Sequence, residues 1–318
     1  MSDEFHLHHY PVFEEGIFAK YPTLFDQFPE NSHGRLRSKL RQVQKVLPEY
    51  EGTLTWPLLT GPGFCGGTHP GAETVFTEIV LGPNNSFYNS DCLYANPAKR
   101  VFAVADPPGI SEYGRRIFRD IDAHLKTGTV ADLENVINRI NYEMAAQRET
   151  ATLALVCFPE DTPGRALAFV AGDTLLFHGN ALSKQLKPVT GSPYFIGAAH
   201  IPIVPQEIEL APGDFFIIAS DGILTLNAHW RAKRPAEFLL EHINGNIDNF
   251  ALNAITACND CCEEKHLERV AARFGGSDNV TVLLVCPEKL PAGNGQKSFI
   301  LGGHAHIKHK LPLGRTKP

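Results

Sequence analysis

The chain has 318 residues, enough for one large or two medium domains, and with 43% hydrophobic and 20% charged residues its composition is ordinary for a globular protein. A net charge of −6, with no basic block interleaved with aromatics, excludes a general affinity for nucleic acid or anionic membrane and suits a protein that collects cations. Seven irregularly spaced cysteines argue against a disulfide scaffold and for a reducing compartment.

Residues 1–70 mix apolar positions with Pro, His and Glu around one helical stretch, "HGRLRSKLRQVQKVL", and are expected to form an N-terminal extension packed on a core. The opening "MSDEFHLHHYPVFEEG" is acidic where a signal peptide is basic and then apolar, and no apolar run approaches membrane-spanning length, so a cytoplasmic protein is expected. The stretch "TGPGFCGGTHPGAE" (60–73) lacks the Gly-Lys-Ser/Thr of a phosphate-binding loop and is read as a connecting loop.

From Thr74 onward "TVFTEIVLG", "DCLYA" and "RVFAVAD" read as strands. Two helices follow, one with Ile117, Ile121 and Leu125 at helical spacing, the next with Leu133, Val136, Ile137, Ile140 and Met144. "TATLALVCF", "RALAFVAGDTLLFHG", "QEIEL" and "DFFIIASDG" return to strand, a helix-rich insertion spans about 224–274, and "NVTVLLVC" closes the pattern. Blocks of strands and helices without regular alternation predict an α+β layered fold. The polar tail, 288–318, is expected to be loosely held.

Asp106 in "FAVADPPG", Asp173 in "FVAGDTLLF", Asp221 in "FFIIASDG" and Asp278 in "GGSDNVTVLLV" each adjoin an apolar strand, and Asp91 opens one in "NNSFYNSDCLYA". Singly, each is as readily a turn residue. Together at one sheet edge they would repel unless cations lay between them, and carboxylates without a His/Cys set suit Mg²⁺ or Mn²⁺ better than zinc. Cys258, Cys261 and Cys262, with His266 downstream, have helical spacing but lack a second Cys/His pair and are read as core residues. The terminal histidines (His6, His8, His9, His304, His306, His309) are read as solvated. No cysteine lies in the Cys-x5-Arg loop of tyrosine phosphatases.

The order of "YNSD", "FAVADPPG", two helices, "ETATLALVCF", "FVAGDTLLFHGN", "LAPGDFFIIASDGI" and "GGSDNVTVLLV", over about residues 72–286, resembles the metal-dependent protein phosphatase (PPM, type 2C) family. That resemblance implies a four-layer α-β-β-α sandwich with two central antiparallel β-sheets, and a phosphatase domain over 71–287. It implies hydrolysis of phosphoserine or phosphothreonine proteins by attack of a metal-activated water at a pair of Mn²⁺ or Mg²⁺ ions, without a covalent catalytic residue. On the same ground Asp106 would bridge the two ions and the Pro107 carbonyl would be a further ligand. Asp221 and Asp278 would complete one shell, Asp91 would support the other, and Asp173 with Asp221 would hold a third, weaker ion.

Three departures accompany the resemblance. The family writes Asp-Gly-His-Gly or Asp-Gly-Met-Gly where this chain has Asp106-Pro107-Pro108-Gly109; proline keeps its carbonyl but Pro108 cannot donate a proton. The family's phosphate-gripping arginine, five residues before the first Asp, is Ser86 here, with Arg100, Arg115 and Arg116 as candidates for its role, and the residue before that Asp, often acidic, is Ser90. The segment after "LLFHGN", where the family carries a substrate-facing flap, is short. Two alternatives to a protein phosphatase therefore stay open: a catalytically silent phosphatase-like binding module, and a phosphatase of a small phosphorylated molecule.

Overall fold

A computed structural model describes residues 4–12, 55–71, 87–109, 111–126, 128–225, 235–243, 249–260, 279–291 and 298–307. The strand at "TVFTEIVLG", the helix at "HGRLRSKLRQVQKVL", and Ser86, Cys261, Cys262, His266 and Asp278 lie outside these residues.

The plan is set by strands buried on both faces. In Val101–Asp106, Val101, Ala103 and Ala105 pack toward helices, while Phe102 and Val104 face a second sheet, and all five are fully buried. Such strands read as continuous apolar runs because a sandwich core lies on one side and a helix layer on the other.

In chain order the strands are β1 (His6–Pro11), β2 (Thr55–Gly61), β3 (Phe64–His69), β4 (Phe87–Asn96), β5 (Val101–Asp106), β6 (Thr152–Cys157), β7 (Arg165–Ala171), β8 (Leu175–Asn180), β9 (Gln185–Pro188), β10 (Gln206–Glu209), β11 (Asp214–Ala219), β12 (Val280–Val285) and β13 (Phe299–Ile307). The helices are α1 (Tyr113–His124), α2 (Val130–Gln147), α3 (Gly222–Thr225), α4 (Pro235–Glu241) and α5 (Phe250–Asp260). Among the described residues one antiparallel sheet runs β1-β2-β3-β12-β11-β8-β9 and the other β10-β7-β6-β5-β4-β13.

Helices α1 and α2 cover the outer face of the β4–β7 sheet through Ile117, Phe118, Ile121, Leu133, Ile137 and Ile140, the spacing of one helical stripe. Helices α4 and α5 cover the other sheet through Phe238, Leu239, Phe250, Ala254 and Ile255. Between the sheets Phe64, Phe102, Phe158 and Phe216 interlock edge to face or tilted with Leu93, Val104, Ile218 and Leu283. The protein is thus a four-layer α-β-β-α sandwich. Removing one of these rings, as in Phe102→Ala, costs about 3–5 kcal/mol.

Two sequence expectations are corrected. Residues 60–71 are not a connecting loop: they contain the turn and second strand of the β2–β3 hairpin, and β3 lies inside its sheet between β2 and β12. Glycine suits the packing there, since a Cβ at Gly66 would press on the side-chain ends of Leu93 and Leu283 and one at Gly67 on the Trp56 ring, which would have to shift. The tail after Pro287 is not loose throughout, because β13 pairs with β4 and closes that edge of the sheet.

Candidate active site

The polar end of the inter-sheet space is built around Asp106, which ends β5, and Asp91, which the sequence placed at a strand start but which lies inside β4 because pairing with β13 extends that strand back to Phe87. The β4–β5 register pairs Cys92 with Ala105, and one step further sets Asp91 opposite Asp106. Asp106 in turn pairs with Thr152 of β6, whose hydroxyl donates to the Asp106 carbonyl at 3.0 Å and also bonds Thr174. Alternation puts both carboxylates on the face that carries Leu93 and Phe102, toward the opposite sheet. From that sheet Asp221 arrives in the turn between β11 and α3.

The three carboxyls meet. Burial raises the Asp106 carboxyl most, the charges of Asp91 and Asp221 add to it, and hydrogen bonding between Asp106 and each of the two side chains completes the shift to about 10. Without a cation the cluster therefore holds a proton at neutral pH. Among the described residues no group of three His, Cys, Asp or Glu side chains closes into a ready-made metal cage; the carboxyls are drawn onto one another through hydrogen bonds. The donor set is all oxygen, with Asp91 buried and Asp106 and Asp221 half-buried, which fits a hard divalent cation reached from solvent and replacing the shared proton.

A hydrogen-bonded frame fixes this end. Asn279 accepts from both the backbone N–H and the hydroxyl of Ser90 at 2.9 Å, and its amide donates to the Pro70 carbonyl at 2.7 Å. The Thr281 hydroxyl donates to Thr68 at 2.6 Å, and Asn89 donates to the same oxygen at 3.0 Å. The Ser220 N–H donates to the Thr281 carbonyl, and the Thr281 N–H to the Ser220 hydroxyl, both at 3.0 Å. Gly222 packs so tightly on the Asn279 carbonyl that no Cβ fits. The turn carrying Asp221 is thereby locked to the residue after Asp278.

The remaining expected residues are distributed unevenly. Pro107 is buried beside Asp106, while Pro108 and Gly109 are exposed, Gly109 at φ +66 with open space around it. Pro followed by a glycine at positive φ is the residue order of a type II turn, which takes the chain from β5 toward α1. Asp173 sits exposed in the turn between β7 and β8 and is not among the groups acting on Asp106. Of the frame residues, Ser90 entered the sequence reading only as a departure from an acidic position, and Asn279, Thr68 and Thr281 did not enter it; Ser90 and Asn279 are 189 positions apart.

No protein-family model and no curated protein matches the chain. Among solved structures it is similar to PppA, a regulatory component of the T6SS in Pseudomonas aeruginosa, with TM-score 0.48 and 17% identity over 70% of this chain and 96% of that one. It is similar also to the PPM Ser-Thr phosphatase MsPP from Mycobacterium smegmatis, with TM-score 0.46 and 18% identity over 70% and 97%. A further likeness is to the serine/threonine phosphatase PstP/Ppp of Mycobacterium tuberculosis, with TM-score 0.46 and 19% identity over 70% and 96%.

Proposed function

We propose that the chain is a metal-dependent phosphatase acting on phosphoserine or phosphothreonine proteins, with Asp91, Asp106 and Asp221 as the carboxylates that hold Mn²⁺ or Mg²⁺. The observation that carries this reading is the meeting of the Asp91 and Asp221 carboxyls at Asp106, each in hydrogen-bonding contact with it. Three acids forced together between two sheets cost stability unless a cation compensates them. The sequence resemblance assigns Asp278 and the Pro107 carbonyl to the same shell, and Asp173 to a third, weaker ion.

When bound, the ions would supply Lewis-acid neutralisation of the phosphoryl oxygens and activation of water. The protein's own part is to hold the acids in register. Asn279 pins Ser90 beside Asp91, Thr152 fixes the carbonyl of Asp106, and the Pro107–Pro108 pair stiffens the exit from β5. Pro108 cannot deliver a proton to the leaving alkoxide, so the position at which the resemblance expects a general acid lacks one here. Activity toward an alkyl phosphate such as phosphoserine should then be slower, relative to p-nitrophenyl phosphate, than in a site with a general acid.

A second reading, a phosphatase-like module without turnover, is favoured by Ser86 in place of an arginine and by the Asp-Pro-Pro-Gly turn. Phosphate release from phosphoserine and phosphothreonine peptides with Mn²⁺, compared with release from small phosphomonoesters, separates the readings. Peptide hydrolysis that vanishes in Asp106→Asn supports the first. Turnover of small esters alone moves the substrate class, and no turnover of either in a folded, Mn²⁺-binding protein supports the second.

A further inference from the structure

Strand β1 divides three histidines that look alike in sequence into two sets. His6, His8 and His9 all lie in β1, which pairs antiparallel with β2 at the edge of its sheet among the described residues. Side chains alternate along a strand, so His6 and His8 share one face and His9 takes the other. The register says which face is which. His8 stands opposite Leu58 and Tyr10 opposite Trp56, and Leu58 and Trp56 both belong to the core under α4 and α5. Leu7 stands opposite Leu59, which faces the second sheet. His6 and His8 therefore lie on the helix-bearing side of their sheet, and both are exposed.

The two imidazoles are spaced for one ion. Their ring centroids are 6.0 Å apart, with the planes inclined at 29°. A transition metal sits about 2.0–2.1 Å from an imidazole nitrogen, hence roughly 3 Å from the centroid of a ring that ligates it. One ion can therefore span centroids up to about 6 Å apart, and rotation of exposed side chains turns a nitrogen of each ring toward it. Among the described residues no hydrogen bond or ion pair engages either ring; the further neighbour of His8 is the Tyr10 ring, at 6.4 Å between centroids. Chelation thus breaks no existing bond. Imidazole nitrogen suits Zn²⁺, Ni²⁺ and Cu²⁺, whereas Mg²⁺ and Mn²⁺ prefer oxygen.

We propose that His6 and His8 form a two-imidazole chelate for a transition metal of the Zn²⁺ class, with His9 excluded by the strand's alternation. Two protein ligands leave the other positions to water, so the ion stays exchangeable. The site is separate from the carboxyl cluster and independent of the phosphatase reading. Strands β2 and β3 lie between β1 and β12, three strand spacings or about 14 Å, and the carboxyls face the space between the sheets, on the other side. Nitrogen ligands on one face and oxygen ligands on the other sort the two kinds of metal.

The test is calorimetric titration of Zn²⁺ into the full chain in excess Mn²⁺, for the wild type, His6→Ala, His8→Ala, His9→Ala and Asp106→Asn. His6→Ala and His8→Ala should each weaken Zn²⁺ binding about tenfold or more, because either change reduces a chelate to a single ligand. His9→Ala and Asp106→Asn should bind Zn²⁺ as the wild type does, and Mg²⁺ in place of Zn²⁺ should give no response that His6→Ala or His8→Ala alters. All three histidines are exposed, so unchanged melting temperatures should show that the histidine variants fold. Imidazole resonances of labelled histidine should shift with Zn²⁺ at His6 and His8 and stay in place at His9. Wild-type Zn²⁺ affinity in His6→Ala or in His8→Ala, an equal loss in His9→Ala, or a loss confined to Asp106→Asn overturns the proposal. No arm of the test reads turnover, so its result stands whether or not the chain hydrolyses phosphate esters.

Discussion

Asp106 and Asp91 face each other across neighbouring strands with their carboxyls hydrogen-bonded, and Asp221 joins them from the opposite sheet. Burial and the two acidic neighbours raise the Asp106 carboxyl, and holding these groups together costs the fold stability.

The first consequence concerns pH. The folded-state value of Asp106 lies near 10, far above the value of an unfolded carboxyl, so its contribution is fully present below about pH 4 and is lost as pH rises toward 10. Metal-free protein should therefore lose thermal stability between mildly acidic and alkaline pH. Asp106→Asn should remove much of that slope and raise Tm near pH 8 by about 4 °C, an effect of ~1–2 kcal/mol. The same variant should lose phosphatase activity. Differential scanning calorimetry across pH with EDTA checks the first part, and Mn²⁺ should flatten the wild-type slope.

Asn279 should position Asp91 through Ser90. Asn279→Ala leaves two buried Ser90 donors without their acceptor and should cost about 2–3 kcal/mol. Because the lost bonds lie beside the acids, Mn²⁺ affinity should fall with it. Chemical denaturation and Mn²⁺ titration of the same variant measure both.

A contrast comes from the other end of β11. Asp214 is desolvated, which raises its carboxyl, but hydrogen bonds from the Ala211 N–H, Asn180 and His178 outweigh this and hold it below the usual range. That stability is present above the unfolded carboxylate value and is lost as pH falls through the lower folded one. Asp214→Ala should cost about 2–3 kcal/mol and leave kcat within about twofold, since β11 separates Asp214 from Asp221 by about 20 Å. Denaturation midpoints and turnover on one preparation test the separation of stability from activity.

Gly302→Val should disturb both. Its φ of +72 and the contact with the Asp91 carbonyl leave no room for a branched side chain, so β13 must shift from β4. A loss of about 2 kcal/mol or more, with lower activity, is expected from unfolding and turnover assays.

Much of the layering could be read along the chain, because Ile117, Ile121 and Leu125, and Leu133, Ile137, Ile140 and Met144, fall on buried helix faces at the expected spacing. Asp106 and Asp221 were legible because each closes an apolar strand, whereas Asp91, read as opening one, lies within β4. What could not be read depends on distant partners. "FCGGTH" looks like a loop until Gly66 and Gly67 are seen packed under Leu93, Leu283 and Trp56, and "FILGGHAHI" is interrupted by the glycine pair that lets it pass Asp91. The Ser90–Asn279 bond joins the first and last parts of the site and has no local signal. Asp173 follows the motif's wording, yet its exposed turn sets it apart from the carboxyls that meet at Asp106.

The most direct measurement is hydrolysis of p-nitrophenyl phosphate by the purified chain with Mn²⁺, with Mg²⁺ and with EDTA, beside Asp221→Asn. The account predicts turnover that requires a divalent ion and disappears in the variant. Turnover that persists in EDTA or in Asp221→Asn, or none at all from a folded protein with Mn²⁺ bound, would contradict it.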